Sequence, residues 1–85
     1  MQEKVLLKVR NEATALPRVL RIVARQGAMM ESLVVRTLDN GRFLDIELYL
    51  SLPGNGEQLC KLLTKQVSVL TVERSMSSVM TSVAV

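Results

Sequence analysis

Two carboxylates on one predicted strand are the best candidates for acid–base chemistry in this sequence. Asp45 and Glu47 alternate with apolar residues in the segment 43–52, so their side chains project from the same face of a strand. Such a pair could supply a general acid and a general base. The same arrangement is also typical of a solvated or partner-facing sheet surface, and this is the interpretation that we favour.

Other kinds of catalytic site are poorly represented. The chain has no histidine and a single cysteine, Cys60, which excludes the usual His/Cys metal sites and the Ser–His and Cys–His nucleophiles. Cys60 follows Leu59 in a predicted helix, and we interpret it as a small buried or half-buried side chain. The segment Gly54-Asn55-Gly56 lacks the lysine and the spacing of a phosphate-binding loop. We therefore do not expect catalysis by this chain alone.

Three arginines form the most distinctive charged feature. Arg18, Arg21 and Arg25 are spaced i, i+3, i+7 and so form a stripe on one face of a predicted helix. This stripe is either an ordinary solvated helix face or a surface that docks onto an acidic patch of another protein. RNA binding is not expected, because base stacking needs aromatic residues, and only Phe43 and Tyr49 are present, close to acidic residues.

Length and composition limit the chain to one small domain. It has 85 residues, of which 48% are hydrophobic and 22% charged, with a formal net charge of +3. A lone cysteine cannot form an internal disulfide, and no apolar run approaches the roughly 20 residues that a membrane-spanning helix needs. The N-terminus has no apolar signal-peptide core. We expect a cytoplasmic protein.

Hydrophobic periodicity predicts six elements. Apolar residues alternate with polar ones in the strand-like segments and recur at helical spacing in the others. Thr14 is placed to cap the first helix and Gly27 to terminate it. Asn40-Gly41 is typical of a hairpin turn, and Asn55 is placed to cap the second helix with Gln58 three residues later. The predicted order is strand 4–10, helix 15–26, strand 30–38, strand 43–52, a second helix after Asn55, and strand 67–74.

The order βαββαβ predicts an α+β fold. Two right-handed β-α-β crossovers joined by a hairpin give a four-stranded antiparallel sheet with both helices on one face, which is the ferredoxin-like sandwich. We expect a single domain over residues 1–76 and an uncharged, flexible tail over 77–85. This fold accommodates many functions, so it does not assign one.

Two sequence blocks resemble the ACT domain of acetolactate (acetohydroxyacid) synthase small subunits. The first is Asn11-Glu12-Ala13-Thr14-Ala15-Leu16-Pro17-Arg18-Val19-Leu20, and the second is Arg25-Gln26-Gly27-Ala28-Met29-Met30-Glu31-Ser32-Leu33. In that family the corresponding blocks read Asn-Glu-x-Gly-x-Leu-x-Arg-Val and Arg-Gly-x-Asn-Ile-x-Ser-Leu. The segment 59–72 also resembles the family's helix-to-strand junction, so the likeness extends over roughly residues 4–74.

The resemblance implies an amino-acid effector pocket that has lost its key residues. In the family, valine binds at a dimer interface, where a loop asparagine, a loop glycine and a second asparagine line the pocket. Thr14 replaces that glycine and Met29 replaces the second asparagine. The positions implied for the pocket are Asn11, Thr14, Ala15, Leu16, Met29 and Met30. These changes resemble the short, valine-insensitive small subunit of the isozyme II type.

The resemblance implies a regulatory subunit rather than an enzyme. Its partner would be the large catalytic subunit of acetolactate synthase, a transferase of branched-chain amino-acid biosynthesis, and this chain would itself form a homodimer. Thiamine diphosphate, Mg²⁺ and FAD would all belong to the catalytic subunit. A free-standing ACT dimer that senses a small amino acid is the alternative.

Two surfaces are candidates for docking the catalytic subunit. One is the sheet face with Phe43, Asp45, Glu47 and Tyr49, and the other is the stripe with Arg18, Arg21 and Arg25.

Overall fold

The computed structural model describes residues 2–54 and 56–76. These residues form six elements in the predicted order: β1 (Gln2–Arg10), α1 (Ala15–Arg25), β2 (Met29–Leu38), β3 (Phe43–Ser51), α2 (Glu57–Thr64) and β4 (Val69–Met76). The predicted tail over 77–85 lies outside the described residues. The α+β ferredoxin-like arrangement that the sequence predicted is confirmed.

The four strands form one antiparallel sheet in the order β2-β3-β1-β4. Alternation decides which side chains are buried. Val5, Leu7 and Val9 of β1 lie on the same sheet face as the buried leucines and isoleucine of β3. The helices contribute the other half of the core, because the buried stripe of α1 (Ala15, Val19, Val23) and that of α2 (Leu59, Leu63) pack against this face.

Helix α1 begins at Ala15 as predicted and ends at Arg25, one residue before the predicted end, but its N-cap is not made as expected. Thr14 occupies the N-cap position, and its side chain makes no capping hydrogen bond. At the other end, Gly27 has a φ of +74° and donates its N–H to the carbonyl of Ala24. A positive φ is favourable for glycine, so Gly27 terminates the helix as the sequence predicted.

The hairpin turn predicted at Asn40-Gly41 is confirmed, because both residues have a positive φ in the four-residue β2–β3 loop, as does Asp39. Two other predictions need correction. The N-cap of α2 is Gly56, one residue later than predicted, and Asn55 lies outside the described residues. The last strand begins at Val69 rather than at 67, because residues 65–68 form a turn in which the N–H of Val69 donates to the carbonyl of Gln66.

Candidate functional site

The sheet face opposite the helices carries the predicted docking residues Phe43, Asp45, Glu47 and Tyr49. All four are half-buried, as alternation along β3 predicts. Leu6 and Val34 flank Glu47 from the neighbouring strands. The two aromatic rings are covered by lysines of β1: the Lys8 ammonium lies 4.9 Å from the centroid of Phe43, and that of Lys4 lies 5.5 Å from that of Tyr49. These distances permit cation–π attraction.

The two candidate acid–base carboxylates share one arginine. Arg36 of β2 lies 2.9 Å from an oxygen of Glu47 and 3.7 Å from an oxygen of Asp45. The Tyr49 hydroxyl donates to the other oxygen of Glu47 at 3.3 Å. Both carboxylates are thus engaged with neighbouring side chains of the same sheet face. The arrangement therefore supports a polar surface network rather than an acid–base pair.

The arginine stripe is exposed. Arg18, Arg21 and Arg25 lie on the outer face of α1, and none of them forms an ion pair with another residue that the structure describes. Because α1 has no acidic residue in its first turn, no carboxylate there offsets the positive charge of the stripe. This face is therefore available for long-range attraction to an acidic partner.

The loop before α1 is held in place by the turns around it. The side-chain amide of Asn11 donates to the carbonyl of Gly41 at 2.8 Å, and its backbone N–H donates to the carbonyl of Arg42. The Ser68 hydroxyl donates to Glu12 at 2.6 Å. Asn11 and Glu12 thus tie the loop to the β2–β3 turn and to the approach of β4. Their side chains have structural partners within this chain.

The six predicted pocket positions do not come together within one chain. Met29 pairs with Ser51 at one end of the sheet, whereas Leu38 pairs with Phe43 at the other end, next to the loop that contains Asn11. Nine strand residues separate the two ends, which corresponds to about 27 Å. Asn11, Thr14, Ala15 and Leu16 therefore lie at the end opposite to Met29 and Met30. Ala15 is buried and Leu16 half-buried, whereas Asn11, Thr14, Met29 and Met30 are exposed.

The edge strand β2 is the most apolar exposed feature in the described part of the chain. None of its ten residues is buried. Six of its apolar side chains are exposed by 36% to 72%: Met29, Met30, Leu33, Val34, Val35 and Leu38. An exposed apolar edge strand also presents unpaired backbone N–H and C=O groups, so it is a template for pairing with another chain. We call this feature the β2 edge.

A groove that the sequence did not indicate lies between α2 and β4. Its volume is about 440 Å³, and its lining includes Glu57, Cys60, Lys61, Lys65, Val72 and Arg74. We call it the α2–β4 groove. Lys61 comes from α2 and Lys65 from the C-cap position that follows it. Val72 and Arg74 come from the helix-facing side of β4, where they pair with Leu7 and Val5.

A buried carboxylate lies next to this groove. Glu3 is 1% exposed, and its Oε1 is 3.6 Å from Nε of Arg74 and accepts no hydrogen bond. Its Oε2 accepts the Gly56 backbone N–H at 3.3 Å. A Cβ at position 56 would lie 3.1 Å from Cδ of Glu3 and 3.2 Å from Cδ of Arg74, so only glycine fits there without displacing the pair.

The same charges act on the thiol in the groove. Burial raises the pKa of Cys60, Arg74 opposes this rise, and Glu3 adds to it. The thiol is therefore protonated and neutral near pH 7. Neutral sulfur adds a weakly polar, mainly hydrophobic surface to the groove.

The described residues hold neither a cluster of metal ligands nor a membrane-spanning helix. Among residues 2–54 and 56–76, no group of three or more Cys, Asp or Glu side chains is placed to hold a metal ion. In the same residues, neither helix has the length and hydropathy needed to cross a membrane.

Comparison with solved structures assigns the fold. The ACT domain of GTP pyrophosphokinase from Chlorobium tepidum superposes with a TM-score of 0.75, at 14% identity, over 88% of this chain and 97% of that domain. The chain has the ACT-domain fold. A formyltetrahydrofolate deformylase from Pseudomonas putida gives a TM-score of 0.76 at 9% identity, over 89% of this chain and 29% of the deformylase. No protein-family model matches the sequence, and no curated protein is significantly similar to it.

The ACT-domain fold also occurs among proteins with other names. The C-terminal domain of the MgtC protein from Mycobacterium tuberculosis gives a TM-score of 0.67 at 13% identity, over 87% of this chain and 84% of that domain. Identities this low assign the fold and leave the function to the residues of this chain.

Proposed function

We propose that this chain is a regulatory subunit of acetolactate synthase of the short, valine-insensitive type. It binds and activates the thiamine-diphosphate-dependent catalytic subunit and performs no chemistry itself. The ACT-domain fold supports this proposal, as do the two sequence blocks that resemble the family. The first block forms the β1–α1 loop and most of α1, and the second runs from the end of α1 through Gly27 into β2.

The observation that carries the proposal is the distribution of the pocket positions. Antiparallel pairing of two β2 edges places Met29 and Met30 of one copy beside Leu38 of the other, next to its Asn11 loop. Two copies thus bring together residues that one chain holds about 27 Å apart. The dimer also buries the six exposed apolar side chains of each β2 edge. We therefore propose a homodimer with its effector positions at the interface between the two copies.

The pocket formed in this way is unsuited to valine. Its two ends would present Thr14 and Met29, which have neither the bare backbone of glycine nor the amide of asparagine. We expect 10 mM valine to leave the activity of the holoenzyme unchanged and the amide NMR spectrum of the isolated subunit undisturbed around residues 11–18. Saturable shifts in those amides would instead favour the alternative function, a free-standing amino-acid sensor, and calorimetry would then give the affinity.

The decisive experiment is reconstitution of activity with the large subunit. The large subunit is assayed with thiamine diphosphate, Mg²⁺ and FAD, with and without this chain. We expect several-fold activation and a complex that co-elutes in size-exclusion chromatography. An unchanged rate together with separate elution would refute the proposed function.

Two variants identify the docking surface in the same assay. We favour the sheet face, because two aromatics among aliphatics and charges are typical of a protein interface. Tyr49→Ala is expected to reduce activation at least about tenfold, because a desolvated aromatic anchor contributes ~2 kcal/mol or more. Arg21→Glu is expected to alter mainly the association rate and its salt dependence. Loss of activation with Arg21→Glu alone would assign docking to α1; circular dichroism checks that both variants fold.

A further inference from the structure

The α2–β4 groove has the size and lining of a small-molecule site. Its volume of about 440 Å³ falls within the range of 300 to 1,000 Å³ that is usual for ligand pockets. The floor combines the neutral thiol of Cys60 with the side chain of Val72, and the aliphatic stems of Lys61 and Lys65 extend this apolar surface. A ligand with a short hydrocarbon body would bury that body here.

The charges of the groove favour an anion. Three cations line it, Lys61, Lys65 and Arg74, against one acid, Glu57. Counting buried Glu3 beneath Arg74 still leaves one positive charge in excess (three cations against two carboxylates). A single negative charge on a ligand would balance this excess.

Arg74 is positioned by a partner that solvent does not reach. Glu3, at 1% exposure, lies beside the Nε side of the guanidinium, whereas the Arg74 side chain is 38% exposed and lines the groove. Gly56 donates to the second oxygen of Glu3 and allows the pair to pack closely. A planar guanidinium held from one side can offer its remaining N–H groups to a carboxylate in two parallel hydrogen bonds.

We propose that the α2–β4 groove binds a small organic monocarboxylate with a short aliphatic body. Arg74 pairs with the carboxylate, Lys61 and Lys65 add attraction from the α2 side, and Val72 and Cys60 contact the aliphatic body. This site is distinct from the pocket positions around Asn11 and Met29, and it does not depend on the proposed partner. A negative result for this site would therefore not count against the proposed regulatory function, and the reverse also holds.

Isovalerate is a suitable probe, and three comparison compounds each lack one feature of the proposed ligand. Isovaleramide has the same shape without the charge, isopentylamine reverses the charge, and inorganic phosphate has charge without an aliphatic body. Each is titrated to 20 mM into ¹⁵N-labelled protein while amide shifts are recorded. We expect saturable shifts with isovalerate at amides of α2 and β4, and at least about tenfold weaker binding of the other three.

Variants test the residues assigned to the carboxylate. Arg74→Gln is expected to weaken isovalerate binding about tenfold, and the double variant Lys61→Gln/Lys65→Gln about threefold. Because both lysines are exposed, the double variant should fold normally even if Arg74→Gln perturbs Glu3. Arg21→Gln removes one positive charge from α1 and is the matched control, with no expected change.

Three results would overturn the proposal. The first is equal affinity for isovaleramide, which would mean that no carboxylate is recognised. The second is equal affinity for phosphate at the same amides, which would mean that the groove attracts any anion and does not recognise the aliphatic body. The third is wild-type affinity in both Arg74→Gln and the double lysine variant.

Discussion

Replacing Leu33 and Val35 together with lysine is expected to convert the proposed dimer into a monomer. Both residues are exposed on the helix-side face of the β2 edge, where they pair with Leu48 and Ile46 of β3. If two β2 edges pair antiparallel about Val34, Leu33 of one copy lies beside Val35 of the other. The variant then places four ammonium groups along the interface and removes its apolar contacts. We expect at least about a 100-fold increase in the dimer dissociation constant.

Sedimentation velocity from 1 to 100 µM measures this change. Val67→Lys is the matched control, because Val67 is 84% exposed but lies after α2, away from the β2 edge. It should dimerise like the wild type, and both variants should fold, since they change exposed residues only. A dimeric double-lysine variant would show that the β2 edge is not the interface. A wild type that is strictly monomeric over this range would refute the homodimer itself.

Replacing Arg74 with methionine is expected to cost about 2 kcal/mol of the free energy of unfolding. The change keeps an unbranched apolar side chain similar to the aliphatic stem of arginine but leaves the buried carboxylate of Glu3 without its cation. Losing one partner of a fully buried ion pair costs about 3–5 kcal/mol. We expect less here, because Arg74 is 38% exposed and lies 3.6 Å from the carboxylate oxygen.

The double variant Glu3→Leu/Arg74→Met separates this effect from a general loss of packing. Removing both charges leaves no carboxylate to desolvate, so we expect most of the lost stability to return. Urea denaturation at one fixed protein concentration measures each free energy. Arg10→Met, an exposed substitution on β1, is the control and should change stability by less than about 0.5 kcal/mol. Equal losses in the single and double variants would contradict this assignment.

The fold could be predicted because its strongest signals are local. Strict alternation over 43–52 identifies β3 and its buried face, and Gly27 marks the end of α1. The boundaries around α2 and β4 were less accurate. The segment 67–74 is rich in valine and so resembles a strand throughout. The turn before Val69, however, depends on a local hydrogen bond from the Gln66 N–H to the carbonyl of Leu63 and on a distant one from the Arg10 N–H to the carbonyl of Ser68.

The α2–β4 groove could not be predicted from composition, although one of its parts left a signal. Glu3 lies two residues before Val5, so the alternation that buries Val5, Leu7 and Val9 also places the carboxylate of Glu3 on the buried face of β1. Its cation, Arg74, is 71 positions later in the sequence, and only the pairing of β1 with β4 brings the two together. The pocket positions around Asn11 and Met29 were named from a family resemblance, and only the sheet register shows that they lie at opposite ends of the sheet.

The two outer strands of the sheet differ in a way that limits the size of the assembly. In the proposed dimer, β2 of each copy would pair with β2 of the other, and a β4 strand would form each outer edge of an eight-stranded sheet. β4 carries Thr71, Glu73 and Arg74, which are exposed and polar or charged. Charged side chains discourage further strands from adding to an edge. Antiparallel pairing of two β2 strands would also be two-fold symmetric and therefore closed, so the proposed dimer would not grow into a longer polymer through β2.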